Sequence, residues 1–266
     1  MIRKHLLIIL ISFLLKPSHA SHIVGGDFTN RWIGGNNFEL TLKLYRDSLN
    51  GQAPFDTSIT IGIFDKVTNL RIDTLVIYLF YDTTLIMTGP SASCLPPTDV
   101  IVEVGTYIDT ISIPNNPNGY YIVWERCCRN SVVTNIVLPN QTGLTFYQEM
   151  PNPSLQNSSP YFISDPLPFI CVDQPFEFPF TAVDPDGDQL VYELVDPMGG
   201  NTGYPTAGSP VPILPTPLPA PYLPVYWEPG YSLANVFGSS VPLAIDPASG
   251  TLTVTADNMG LFAVAV

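Results

Sequence analysis

Proline constrains the fold of this chain more than any other residue. The sequence has 28 prolines in 266 residues, and they are spread along most of its length. Proline lacks the backbone N–H and clashes with the preceding turn of a helix, so this distribution excludes long helices and coiled coils. No stretch of ten or more residues shows helical periodicity.

Between the prolines, apolar and polar residues alternate with a period of two. The clearest runs are 38–45, 59–63, 100–104 and 120–124, and turn residues such as those of 115–119 separate them. Alternation with one polar face is typical of a half-buried antiparallel strand. Short strands separated by turns predict an all-β protein built as an antiparallel β-sandwich.

The first twenty residues have the layout of a secretory signal peptide. Arg3 and Lys4 precede an apolar run over residues 6–15, and the small residues Ser18 and Ala20 flank a cleavage site after residue 20. The run is shorter than the roughly 20 apolar residues that a spanning helix needs. We therefore predict a signal peptide over residues 1–20, a secreted or cell-surface chain, and no transmembrane segment in the mature protein.

The charge balance excludes several classes of function. The chain has 10 basic and 23 acidic residues, for a net charge of −13. Such an acidic chain is not expected to bind nucleic acid, which requires a basic surface. Cleavage after residue 20 leaves a single histidine, His22, so a histidine-based catalytic triad or zinc site lacks its main component.

Four cysteines predict disulfides in an oxidising compartment: Cys94, Cys127, Cys128 and Cys171. Neighbouring residues on a strand point to opposite faces. We therefore expect Cys127 and Cys128 to take different partners, one of them Cys94 and the other Cys171. The alternatives are four free thiols or a thiolate metal site, although the C-x-x-C spacing preferred by zinc is absent.

A polar, proline-rich connector divides the chain. Five prolines lie within residues 151–168, a composition typical of a semi-rigid linker. Alternation then resumes at 176–182 and 190–194. We predict an N-terminal β-sandwich domain over 21–165 and a second β domain over 166–266, which a disulfide of Cys171 with Cys127 or Cys128 would staple together.

Two further features belong to the second domain. Residues 205–229 contain nine prolines and should be extended. They either wrap the edge of the sandwich or are exposed and bind a partner, and we favour wrapping. The sequence stops within an apolar strand, residues 261–266, so we expect an incomplete domain from a longer protein.

One segment is a candidate metal site. Asp184, Asp186 and Asp188 place three carboxylates within five residues, in the sequence Asp-Pro-Asp-Gly-Asp. Calcium prefers oxygen ligands at this density, and close carboxylates repel one another unless a cation lies among them. The alternative is a tight turn in which Gly187 supplies a positive φ.

The second domain resembles a known type of repeat. The similarity rests on Phe178-Pro-Phe-Thr-Ala-Val-Asp-Pro-Asp-Gly-Asp-Gln-Leu-Val-Tyr-Glu-Leu194 and Leu243-Ala-Ile-Asp-Pro-Ala-Ser-Gly-Thr-Leu-Thr-Val254. These segments are similar to the cadherin-like and related Ig-like repeats of bacterial surface proteins. The resemblance implies tandem Ig-like or cadherin-like sandwiches, with any calcium role falling on Asp184, Asp186 and Asp188.

The N-terminal part resembles a second group of proteins. The similarity rests on Ser21-His-Ile-Val-Gly-Gly-Asp-Phe28, Phe38-Glu-Leu-Thr-Leu-Lys-Leu-Tyr-Arg-Asp47, Pro54-Phe-Asp56 and Trp124-Glu-Arg-Cys-Cys-Arg-Asn130. These segments resemble the start of large secreted Bacteroidota proteins, often described as gliding-motility-associated or as carrying a C-terminal secretion-sorting domain. The resemblance implies an extracellular surface protein.

The leading functional hypothesis is a non-enzymatic adhesion or scaffold module that contacts cell-surface glycans, proteins or neighbouring modules. The alternative is a carbohydrate-binding module. For Trp124 we favour core packing, whereas Trp227 is the best candidate for an exposed aromatic platform. A third alternative is a glycosidase with a carboxylate pair, for which the sequence singles out no pair.

Overall fold

The computed structural model describes residues 23–48, 54–87, 100–163, 169–200 and 216–266. Regular structure in these ranges is almost entirely β, with twelve strands and two 3₁₀ turns of three residues each. The all-β fold class predicted from the sequence is confirmed. The predicted signal peptide lies outside the described residues.

Seven strands form the larger sheet: β1 (Ile23–Gly34), β2 (Asn37–Asp47), β3 (Ser58–Asp65), β4 (Arg71–Met87), β5 (Val100–Ser112), β6 (Tyr120–Arg126) and β7 (Leu144–Met150). The other five are shorter: β8 (Tyr161–Phe162), β9 (Pro175–Pro179), β10 (Ala182–Val183), β11 (Val241–Ile245) and β12 (Thr251–Thr255). Within the described ranges, no helix has the length and apolar character needed to cross a membrane.

The larger sheet is antiparallel and folds onto itself. Its strand order is β1-β2-β5-β4-β3-β6-β7. β4 belongs to both halves, because its residues up to Tyr78 pair with β3 and those from Leu79 pair with β5. At the two ends of the sheet, β1 and β7 meet so closely that a Cβ atom on Gly26 would lie 2.8 Å from the ring of Phe146.

The core lies between the two halves and is built from the alternation seen in the sequence. On β2, β3 and β6 every second residue is buried in one cluster: Phe38, Leu40, Leu42, Leu44, Ile59, Ile61, Ile63, Tyr120, Ile122 and Trp124. Burying one such side chain stabilises the fold by about 1.5–3 kcal/mol. The same cluster includes side chains from all seven strands, so it holds both halves together.

Part of the opposite, outer face of this sheet is buried as well. Phe64, Tyr121 and Val123 lie on that face, and Ala220 and Tyr222 of the proline-rich segment pack against them. The segment therefore covers a sheet face, whereas we had expected it to wrap an edge. Its first prolines, up to residue 215, lie outside the described residues.

A second, smaller core follows the connector. It is formed by Val236, Phe237, Leu243, Leu252 and Val254, around a three-stranded sheet of order β11-β12-β9. β8 and β10 form a separate pair. The predicted boundary between residues 165 and 166 lies outside the described residues, and a tandem Ig-like arrangement stays a prediction.

Two predicted strands are absent from the part of the chain that the structure describes. Residues 190–194 and 261–266 form no strand, although Leu261 makes one isolated bridge with Val133. The backbone groups of these residues make isolated hydrogen bonds with irregular segments. One example is the bond from Tyr192 N–H to Pro247 O at 3.0 Å. Residues 190–194 alternate and residues 261–266 are an apolar run, but among the described residues no neighbouring strand is aligned with either segment to form a continuous ladder.

Candidate functional site

Segments that carry the N-terminal resemblance meet at one end of the first core. Arg46 on β2 and Glu103 on β5 are Cα partners, so the antiparallel register places their side chains together. Arg46 Nε donates to Glu103 Oε2 at 3.0 Å, and Nη2 donates to the same oxygen. The Arg46 guanidinium also lies 5.6 Å from the ring centroid of Phe55.

A second ion pair lies at the same end. Arg126, the last residue of β6, donates to the carboxylate of Asp56. The Tyr107 hydroxyl donates to the backbone oxygen of Asp56 at 2.7 Å and fixes that segment against the core. We refer to Arg46, Phe55, Asp56, Glu103 and Arg126 as the charged cluster.

The charges of this cluster cancel within it. Each guanidinium faces one carboxylate, and burial lowers the pKa of Arg126 without deprotonating it at neutral pH. A partly buried ion pair contributes little net stability but is costly to break once one partner is removed. Because both carboxylates accept bonds from arginine, the arrangement is suited to fixing strand ends rather than to transferring protons.

The cysteine prediction was wrong for the neighbouring pair. Cys127 and Cys128 form a disulfide with each other, across a cis peptide bond with 3.0 Å between the Cα atoms. The argument from alternation applies to residues within a strand, whereas β6 ends at Arg126. Cys171 is also disulfide-bonded, and Cys94 lies outside the described residues.

Directly after the cysteines, two side chains fasten the sheet to the later part of the chain. Arg129 donates from Nε to Gly143 O at 3.0 Å and from Nη2 to Met198 O at 2.9 Å. Burial lowers the pKa of Arg129 to about 10, so it remains charged at neutral pH. Its bonds join the entry to β7 with Met198, which lies 69 residues after Arg129 along the chain.

Asn135 makes the second connection. Its side chain is fully buried, donates to Val236 O at 3.1 Å and to Ala263 O at 2.9 Å, and accepts from Ala263 N–H at 2.9 Å. Val236 belongs to the second core. We refer to Arg129 and Asn135 as the clamp, because both reach from the β6–β7 connection to backbone groups of the second part.

The proline-rich segment is held on the outer face by hydrogen bonds between its backbone groups and side chains of the sheet. Leu218 N–H donates to Glu125 at 2.9 Å, and Ala220 N–H donates to the Tyr121 hydroxyl at 3.0 Å. Arg71 donates to Pro217 O. Tyr222 donates to Leu218 O at 2.6 Å, and burial raises the pKa of Tyr222 above its ordinary range.

The acidic segment forms a tight turn. Asp184 Oδ1 accepts from Asp186 N–H at 2.8 Å and from Asp188 N–H at 3.2 Å, and Gly187 has a φ of 83°. Among the described residues, no group of three acidic, histidine or cysteine side chains is arranged to hold a metal. The geometry is that of the turn, and calcium binding stays a prediction.

Two other features of this turn bear on its role. Asp186 accepts from Ser158 N–H at 2.5 Å, and the Ser158 hydroxyl accepts from Trp32 N–H at 3.2 Å, which ties the turn to β1. Asp184 and Asp188 also line an open cavity of about 550 Å³. The turn therefore connects the two parts of the chain, as the clamp does.

Trp227 does not form an exposed platform. Its ring is half-buried and packs against the second core, and its indole N–H donates to Asp196 at 2.9 Å. The expectation that Trp227 is exposed was wrong, because its partners come from distant parts of the sequence. Trp124 is buried in the first core, as predicted.

Among the described residues, the two most exposed aromatic side chains lie elsewhere, on β4. Tyr78 and Phe80 are 67% and 70% exposed, and sequence analysis did not single them out. The run from Leu75 to Tyr81 is apolar at every position, so alternation could not assign one side to the core. The signal was a strand with apolar residues on both faces.

No family model matches the chain, and no curated protein or solved structure matches it.

Proposed function

We propose that the chain is a non-enzymatic module of an extracellular surface protein, where it serves as a scaffold or adhesion element beside neighbouring modules. The observation that carries the proposal is the clamp. Arg129 and Asn135 tie a seven-stranded sheet to a second core through side-chain-to-backbone bonds. A body fastened in this way keeps its parts in a fixed relation, which suits a module that positions partners.

The chemistry of the charged groups supports the same proposal. The arginines and carboxylates of the charged cluster face each other, and the three aspartates of the turn are oriented towards backbone N–H groups or line an open cavity. The net charge of −13 opposes binding to polyanions. The resemblance to bacterial surface repeats agrees with an extracellular location.

Location is tested on intact source cells with an antibody against the mature chain. We expect added protease to remove the signal from whole cells while a cytoplasmic marker stays intact. A chain that is degraded only after lysis would refute an extracellular role. Turnover of a polysaccharide by the purified chain, lost in Asp56→Asn, would make it an enzyme and overturn the proposal.

Rigidity is tested by small-angle scattering of the oxidised mature chain. We expect a compact profile that loosens in Asn135→Ala, because the variant removes bonds to the second core. Asn37→Ala at an exposed position of β2 is the matched control and should leave the profile unchanged. Equal profiles for all three proteins would remove the clamp as the basis of the proposed function.

Calcium is a separate part of the proposal. If Asp184, Asp186 and Asp188 hold Ca²⁺, millimolar calcium should raise the melting temperature relative to chelator. A ligand at 100 times its Kd adds about 2.7 kcal/mol to a native state that alone binds it. The shift should disappear in Asp188→Asn, whose side chain caps none of the backbone bonds described for the turn. No shift in the wild type would leave the segment as a turn.

A further inference from the structure

An apolar stripe on the outer face of the large sheet is left uncovered by the part of the chain that the structure describes. Four residues of β4 contribute to it: Ile72 and Val76 are each 45% exposed, Tyr78 is 67% exposed and Phe80 is 70% exposed. Ile72 and Phe80 stand at the two positions where the pairing of β4 shifts register. Thr74 lies between them on the same face. Contiguous exposed apolar side chains of this size mark interaction sites in soluble proteins. We refer to these residues as the β4 stripe.

The part of the outer face beside the β4 stripe is covered by a segment of this chain, so it shows which kind of polypeptide can bind there. There, aromatic rings of Phe64, Tyr121 and Tyr147 are stacked with centroids 5.0 and 5.3 Å apart. Residues 217–222 lie on these rings. Their backbone donates hydrogen bonds to the side chains of Glu125 and Tyr121 and accepts one from Arg71. The covering segment is therefore a proline-rich chain on an aromatic surface.

The covered and uncovered parts are continuous. A Cβ atom on Gly62 would lie 3.4 Å from Pro217, and Gly62 is the Cα partner of Thr74. Pro217 thus lies over β3, which neighbours β4 at a strand spacing of roughly 4.8 Å. Arg71 stands at the border, where its guanidinium lies over Phe64 and donates to the Pro217 carbonyl.

We propose that the β4 stripe binds an extended proline-rich segment of a partner polypeptide, beside the surface on which the proline-rich residues 217–222 of this chain already lie. This inference rests on the proposed function as a scaffold or adhesion module and names the class of its partner. A polyproline helix exposes regularly spaced carbonyls and needs no ladder hydrogen bonds. The stripe offers rings for the prolines, and the Tyr78 hydroxyl can donate to a carbonyl.

The dimensions of the stripe agree with such a ligand. From Ile72 to Phe80 the strand advances roughly 27 Å at about 3.4 Å per residue, the length of about nine residues of polyproline helix at 3.1 Å each. A second copy of the chain is disfavoured by area. Four partly exposed side chains offer roughly 400 Å², against about 800 Å² per partner in a stable complex.

The test is a fluorescence anisotropy titration of the oxidised mature chain with a labelled peptide of residues 216–225. A peptide with alanine in place of each proline is the control ligand. We expect saturable binding of the proline peptide and binding at least tenfold weaker for the alanine peptide. Tyr78→Ser/Phe80→Ser should also weaken binding at least tenfold, whereas Tyr161→Ser/Val191→Ser, at exposed positions elsewhere, should not change it.

A second measurement needs no variant. Hydroxyl-radical labelling should modify Tyr78 and Phe80 in the free chain, and the peptide should protect both. Low labelling in the free chain would mean that the chain itself covers the stripe, which overturns the proposal. So would absence of peptide binding, a concentration-dependent dimer lost in Tyr78→Ser/Phe80→Ser, or glycan binding lost in that variant. None of these results alters the cell-surface location, which the protease experiment tests separately.

Discussion

Replacing Asn135 by alanine should destabilise the protein more than any surface substitution, because its buried amide makes three hydrogen bonds to the second part of the chain. Each bond contributes about 0.5–1.5 kcal/mol, and each buried group left without a partner costs about 1–3 kcal/mol. Some of these groups will be hydrated in the variant. We therefore expect the free energy of unfolding to fall by about 3–5 kcal/mol, a large loss for one residue.

The assay is urea unfolding of the oxidised chain, followed by tryptophan fluorescence. Trp124 reports on the first core and Trp227 on the second. In the wild type we expect one transition, because the clamp couples the two cores. In Asn135→Ala the second core should unfold at lower urea, so that a shoulder precedes the main transition. Asn37→Ala is again the matched control.

Asn135→Asp separates hydrogen bonding from side-chain size. A carboxylate can still accept from Ala263 N–H but cannot donate to the carbonyls of Val236 and Ala263. At pH 7 this variant should be at least as unstable as the alanine variant. Protonation restores one donor, so part of the loss should be recovered near pH 4. A loss below about 1 kcal/mol in Asn135→Ala would refute the clamp as a stabilising element.

Three further predictions follow from local geometry. A hydrogen bond from the backbone N–H of Thr68, and after it those from the side-chain amides of Asn116 and Asn118, hold the pKa of Asp65 well below its usual range. The free energy of unfolding should therefore fall as the pH drops below about 4, and Asp65→Asn should flatten this part of the plot of stability against pH. Gly26→Ala should cost about 1–3 kcal/mol, because its Cβ would lie 2.5 Å from a backbone oxygen of β2, whereas Gly25→Ala, with 3.8 Å to its nearest neighbour, should cost little in the same urea assay. Non-reducing peptide mapping should return the vicinal cysteines bonded within one peptide and Cys171 bonded to another; a cross-link from Cys171 to the vicinal pair would contradict the disulfide connectivity.

Much of the first core could be predicted from the sequence, because the alternation that identifies its buried side chains lies within single strands. On β2, Phe38, Leu40, Leu42 and Leu44 alternate with more polar residues, and this pattern alone assigns a buried face. On β4 both faces are apolar, so the exposed position of Phe80 depends on what the rest of the chain covers. Alternation identifies strands but does not identify a face that is left for a partner.

The predictions that were wrong depend on features that neighbouring residues in the sequence do not reveal. The half-buried position of Trp227 is set by Asp196 and by the second core, neither of which is evident from its neighbours. The pairing of Cys127 with Cys128 follows from the end of β6, a boundary that sequence patterns locate least well. The Asp184 turn was open to two interpretations because backbone N–H groups and a cation satisfy a carboxylate equally well.

The placement of β4 in both halves of the sheet has a consequence for how the protein folds. The first strand pair, β1 with β2, is local, but β3 must find β6 about 60 residues away. Neither half is complete without β4, so the halves cannot form as independent units. Long loops must close, with a loss of conformational entropy, before these contacts form and stabilise the sheet. The sheet should therefore assemble slowly and late, only after the chain through Met150 is available.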